Sequence, residues 1–126
     1  MTANFLLTYS VKDNGFDDAS KKTSDKVRKD IGSIEGLRHL EALNDVVHRP
    51  FTLWEKIDDV ETSVKGLVSI ISGRDSDIMN DAKKKFSAVF NKILAENKAT
   101  PKTTIIHCAL MIESLNYPFE FTVPEK

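Results

Sequence analysis

The sequence predicts one α+β domain of 126 residues in which strands and helices follow in the order β-α-β-β-α-β, with a short strand at the end. Three observations predict it. The first segment alternates apolar and polar residues with period two. A later segment carries a continuous apolar stripe with helical spacing. Two more alternating segments then close the chain.

Asn4 to Val11 sets Phe5, Leu7, Tyr9 and Val11 on one side and Leu6, Thr8 and Ser10 on the other, and Lys12-Asp13-Asn14-Gly15 stops it. Asp17, Asp18 or Ser20 can then accept the free N–H groups of a helix start. Val27, Ile31, Ile34, Leu37, Leu40, Leu43 and Val47 recur every three or four residues. Gly32 and Gly36 interrupt this stripe, so residues 20 to 47 read as two helices or one kinked helix, closed by Pro50.

Phe51 to Ile57 is the second strand and Val60 to Ile71 contains the third, with Asp58-Asp59 as the turn between them. Gly73 to Ser76 leads into a helix whose apolar face is Ile78, Met79, Ala82, Phe86, Val89, Phe90, Ile93 and Leu94. Asn97 caps its end and Pro101 bars continuation. Thr103 to Ile112 is the fourth strand, Asn116-Tyr117-Pro118 a turn, and Phe119 to Val123 the tail strand. This order predicts a ferredoxin-like domain: an antiparallel sheet with helices on one face and an extended first helical region.

Composition narrows the setting. Hydrophobic residues at 40% and charged residues at 29% describe a globular chain, and a net charge of −1 gives no global pull toward nucleic acid or anionic membrane. The single cysteine, Cys108, forbids an intramolecular disulfide and fits a reducing compartment. The opening segment is too short and polar for a signal peptide, and no window approaches the ~20 apolar residues of a membrane span. The expectation is a cytoplasmic protein with no membrane partner.

The second face of the sheet is apolar for a solvated surface: Ile105, His107, Ala109 and Met111 on the fourth strand, with Leu6, Leu67 and Ile71 from others. The expectation is a homodimer that covers it, with Ile105, His107, Met111, Phe119 and Phe121 as interface residues and the tail strand pairing across the dimer or closing an edge.

Catalytic constellations are scarce. His39, His48 and His107 have no metal-ligand spacing, and His107 and Cys108 point to opposite faces of a strand. No phosphate-cradling glycine loop or nucleophile elbow is present. Lys22, Lys26 and Lys29 form a basic stripe on the first helix and Lys83-Lys84-Lys85 adds another, so nucleic acid is a candidate partner beside protein. Trp54 with Phe51 would stack a base if exposed and fill the core if not.

The opening Phe5-to-Val11 strand, the Trp54-to-Ile57 hairpin entry and the tail strand together resemble the small ferredoxin-like proteins related to the CRISPR adaptation nuclease subunit, a group that includes ribonuclease toxins. In the nucleases the first strand typically ends in Tyr-Asp, whose Asp is proposed to bind metal. Here Tyr9 is followed by Ser10, and Asp13 lies three residues further on. The resemblance implies the fold and a dimer. Two functions follow: a non-catalytic dimeric binding domain without cofactor, or a divergent nuclease holding Mg²⁺ through Asp13 of two copies.

Overall fold

A computed structural model of the chain describes residues 1–43, 45–57 and 62–124. The elements run β1 (Thr2–Asp13), α1 (Asp18–Gly32), α2 (Leu37–Glu41), α3 (Asp45–His48), β2 (Phe51–Lys56), β3 (Ser63–Ser69), α4 (Asp75–Glu96), β4 (Thr104–Ile112) and β5 (Phe119–Val123). The proposed turn at Asp58-Asp59 and the start of the third strand at Val60 lie outside the described residues.

The sheet order is β2-β3-β1-β4-β5, and every neighbouring pair is antiparallel. The chain thus differs from a bare β-α-β-β-α-β order. Its first helical region is three helices rather than one or two, and a fifth strand is hydrogen-bonded beside β4. Gly32 ends α1, and Gly36, in extended backbone, stands as the N-cap of α2. Both breaks fall at the glycines that interrupt the apolar stripe.

Alternation places the core. Ala3, Phe5, Leu7, Tyr9 and Val11 of β1 are buried while their neighbours are exposed, and Val64, Val68, Ile106, Cys108, Leu110 and Ile112 continue that face across β3 and β4. Val27 and Ile31 of α1, Leu40 of α2, Val47 of α3 and the Phe86–Phe90–Ile93 stripe of α4 join the same cluster. The helices therefore share one side of the sheet. The additional helices extend that layer, since α2 packs on β2 and α3 on α4.

Phe5, Phe51, Trp54 and Phe86 meet at ring-centroid distances from 4.9 to 6.4 Å, mostly edge-to-face, the geometry that aromatic quadrupoles favour. Trp54 is only 1% exposed, so it fills the core rather than offering a stacking surface. Gly66 makes room for this group: a Cβ there would overlap the Leu53 carbonyl oxygen and lie 2.9 Å from Phe5 Cε2.

Polar contacts fix the helices to the strands. Asp17 caps α1, its Oδ1 accepting the Ser20 N–H at 2.8 Å, and that bond holds its carboxyl below the usual carboxylate range. Ser24 Oγ donates to the Thr103 carbonyl at 3.0 Å and lies 2.9 Å from Thr104 Oγ1, which satisfies hydroxyls where α1 meets β4. At α4, Asp81 Oδ2 accepts the Ile71 N–H at 3.0 Å and Lys85 Nζ at 2.8 Å, while Lys85 also donates to the Ser69 carbonyl. The end of β3 is thereby fastened to the second turn of α4.

Candidate functional site

Two surfaces remain after the core is built: the open face of the sheet and a groove beside α4. The open face follows from register, because paired residues on antiparallel strands point the same way. Leu53 pairs with Leu67 and Leu67 with Asn4; Glu55 pairs with Lys65, Lys65 with Leu6 and Leu6 with Met111. Leu6 is 38% and Met111 51% exposed, and Leu53, Leu67 and Ala109 beside them are half-buried. This is an apolar patch crossed by Lys65 and Glu55, with Glu120 beside Ala109 at its β5 end.

The expected interface residues do not form one surface. Met111 and His107 stand on the open face. Ile105, opposite Lys12, faces the same way but is only 9% exposed. Phe119 and Phe121 pair with Leu110 and Cys108, which puts both on the helix-bearing side, with Phe119 buried. The tail strand closes the β4 edge of its own sheet.

Asp13, the alternative metal ligand, ends β1 exposed, and its Oδ1 accepts the Gly15 N–H at 3.2 Å. Strand alternation sends it to the helix side, away from Ser10, which pairs with His107 on the open face. Among the described residues no three His, Cys, Asp or Glu side chains gather to hold a metal ion.

The basic residues separate likewise. Lys22, Lys26 and Lys29 are exposed on α1 opposite its buried Ser20–Ser24–Val27–Ile31 stripe, and among the described residues none is ion-paired. The Lys83-Lys84-Lys85 run is not one patch, because consecutive helical residues lie 100° apart. Lys85 is bound to Asp81 and Ser69. Lys84 is exposed. Lys83 turns into the groove.

That groove has a volume of about 1010 Å³. Asn80, Lys83, Ser87 and Asn91, spaced three or four apart, line its α4 wall. The row Tyr9, Cys108, Phe121, in register across β1, β4 and β5, faces the helix and provides the floor. Their strand neighbours also border it, and Glu120 pairs with Ala109 and so points to the open face. The four polar side chains on the wall make no hydrogen bond or ion pair with other side chains among the described residues. Burial pushes the Cys108 thiol up to about 12, so at neutral pH it is a neutral, apolar part of the floor.

Sequence reasoning found the open face and missed the groove. The wall residues look like a solvated helix flank, and nothing in the spacing shows that a strand some 30 residues later passes beside it. No family model matches the chain, and neither does any curated protein or solved structure. Among the described residues no helix is long and apolar enough to cross a membrane.

Proposed function

We propose that this chain is a non-catalytic binding domain that works as a homodimer, two copies meeting through the open faces of their sheets. The observation that carries the reading is the Leu6, Leu53, Leu67 and Met111 patch, left bare by a fold whose helices all lie on the other side. A two-fold contact must be self-complementary, and this patch is: Glu55 and Lys65 sit side by side, so each can meet its opposite in the other copy. The contact would shield an apolar surface of the kind that soluble monomers keep small.

The same reading treats the architecture as an elaborated ferredoxin-like domain, beside the small proteins related to the CRISPR adaptation nuclease subunit in fold and pairing. Nuclease chemistry is not part of it. Ser10, His107 and Met111 lie on the face that an open-face dimer would bury, and Asp13 is directed to the other side of the sheet. The buried, neutral Cys108 thiol suits a cytoplasmic setting.

Light scattering at micromolar concentration tests the reading. The wild-type mass should be twice 14.2 kDa. Leu6→Lys with Met111→Lys puts like charges on both copies of the patch and should give a monomer with unchanged circular dichroism, since both side chains are already exposed. A wild-type monomer at 100 µM, on the order of the weakest affinity a stable dimer would have, overturns it.

A further inference from the structure

We infer that the groove between α4 and β5 is a binding site for a nucleoside phosphate, with Lys83 on the phosphate and Phe121 against the base. The inference rests on the reading of the chain as a binding domain, but not on the dimer.

The two flanks of α4 differ in a way that points to a ligand. On one flank, Asp81 and Lys85 satisfy each other and the end of β3. On the other, Asn80, Lys83, Ser87 and Asn91 present an ammonium, two amides and a hydroxyl along about three helical turns, with no side-chain partner for any of them among the described residues. Hydroxyls in helices commonly donate back to the carbonyl four residues earlier, as Ser33 does to Lys29 at 2.9 Å. Ser87 does not, which leaves its hydroxyl to the groove.

Charge and shape choose the ligand class. The α4 wall carries Lys83, with Lys84 at its rim, and among the described residues the one carboxylate bordering the groove is Glu120, whose strand position faces the open side. An anion is therefore favoured, and a Lys ammonium is a standard point-charge contact for phosphate. Opposite it, the half-buried Phe121 ring and the neutral Cys108 thiol make an apolar floor. An anion with no apolar part would leave that floor uncovered, and an apolar molecule would leave Lys83 unpaired. A phosphate joined to a planar heterocycle satisfies both: the amides of Asn80 and Asn91 read hydrogen-bonding edges while the ring stacks on Phe121. The volume lies at the upper end of the range for small-molecule sites, roughly 300–1,000 Å³.

Free nucleotides and single-stranded nucleic acid share this chemistry, and the experiment separates them. Full-length ¹⁵N-labelled protein is titrated with AMP, adenosine, inorganic phosphate and a 12-residue single-stranded RNA. AMP should shift the amide signals of residues 80–91 and 119–122 more than either of its halves does. Lys83→Ala, a surface change that leaves the fold intact, should weaken AMP about tenfold, the loss of one charge-assisted hydrogen bond. Phe121→Leu keeps an apolar side chain at the core boundary and should weaken it about fivefold or more through lost stacking. Substituting Lys22, Lys26 and Lys29 together by Ala should change nothing, because they lie on the outer face of α1.

Tighter binding of the RNA than of AMP, with a salt slope lowered by about 0.7 in Lys83→Ala, identifies the strand as the source. Equal or weaker binding of the RNA identifies the free nucleotide. Adenosine binding as well as AMP, loss of binding in the α1 triple variant alone, or no shift with any probe overturns the inference. The monomeric Leu6→Lys/Met111→Lys variant should bind AMP as wild type does, so failure of the dimer and failure of this site are separate results.

Discussion

Replacing Gly66 by Ala should destabilise the protein far more than an added methyl suggests. The Cβ would overlap the Leu53 carbonyl oxygen and stand 2.7 Å from its carbon and 2.9 Å from Phe5 Cε2. The first two atoms are backbone, so no rotamer change relieves the overlap, and β2 must move outward. That movement pulls Phe51 and Trp54 from Phe86, now 5.1 and 6.4 Å away. Overpacking of this kind costs about 1–3 kcal/mol, and displacing the aromatic group puts this case near the top of the range. Against it stands a gain of about 0.5–1 kcal/mol, because Ala restricts the unfolded chain more than Gly does. The net loss is about 2 kcal/mol, equivalent for a chain of this length to a Tm lower by roughly 8 °C. Urea unfolding followed by Trp54 fluorescence measures it, since Trp54 is the protein's single tryptophan and is buried at the affected place. Gly32→Ala is the control. A Cβ there meets nothing nearer than Lys56 Nζ at 3.8 Å, so stability should hold or rise. If both variants unfold at the wild-type urea midpoint, the packing argument for Gly66 is wrong.

Asp81→Asn should lower stability at neutral pH by about 1 kcal/mol, as for a partly shielded ion pair with an added backbone hydrogen bond. Burial alone would raise the Asp81 pKa, but hydrogen bonds from Lys85 and the Ile71 N–H, with the Lys85 and Lys84 charges, outweigh it and hold the carboxyl below 3.8. A depressed folded-state pKa gives stability that is present above the unfolded value and is lost as pH falls through the folded one. The wild type and Asp81→Asn should therefore converge in urea midpoint as pH falls below 3.8 and through the depressed value, and curves that stay parallel to the acid limit of folding would refute this role. Ser24→Ala should cost about 1 kcal/mol, because the Thr103 carbonyl still accepts the Asn14 N–H while the Thr104 hydroxyl loses its nearest partner, and Ser24→Ala with Thr104→Val should cost less than the two singles summed. Cys108 should resist Ellman's reagent at pH 8 in the folded protein and react promptly in 6 M guanidinium; fast labelling of the native state would contradict its burial.

What could be read from the sequence was what depends on local period. β1 alternates along nearly its whole length, β4 alternates from Ile106 onward, and α4 keeps its stripe over six turns, so their extents were readable to within a residue or two. The contribution of α1 was under-read at its start, because Ser20 and Ser24 pack where a hydrophobic residue would be expected. Ser24 is tolerated there only because Thr103 and Thr104, some 80 residues later, accept and share its proton. Residues 33 to 50 were ambiguous for a related reason. Ile34, Leu40 and Val47 keep a helical spacing across the breaks, and only packing of α2 on β2 and α3 on α4 shows three helices where periodicity allowed two or one kinked helix. The open face was visible in the apolar residues that interrupt the outward-facing half of the strands, Leu6, Leu67 and Met111 among them. The groove was not, since it belongs to no single element.

The position of β1 at the centre of the sheet has a consequence for the order of assembly during synthesis. Its partners on one side run from Thr2↔Ser69 to Thr8↔Ser63, and on the other from Asp13↔Thr104 to Phe5↔Ile112. β1, synthesised before both of its partners, thus keeps one edge unsatisfied until β4 emerges. Contacts this distant in sequence close large loops, which slows folding. The β2–β3 hairpin and α4 can meanwhile join through Phe51, Trp54 and Phe86. In a nascent chain the aromatic group is the early scaffold, and β4 is the element whose arrival commits the fold.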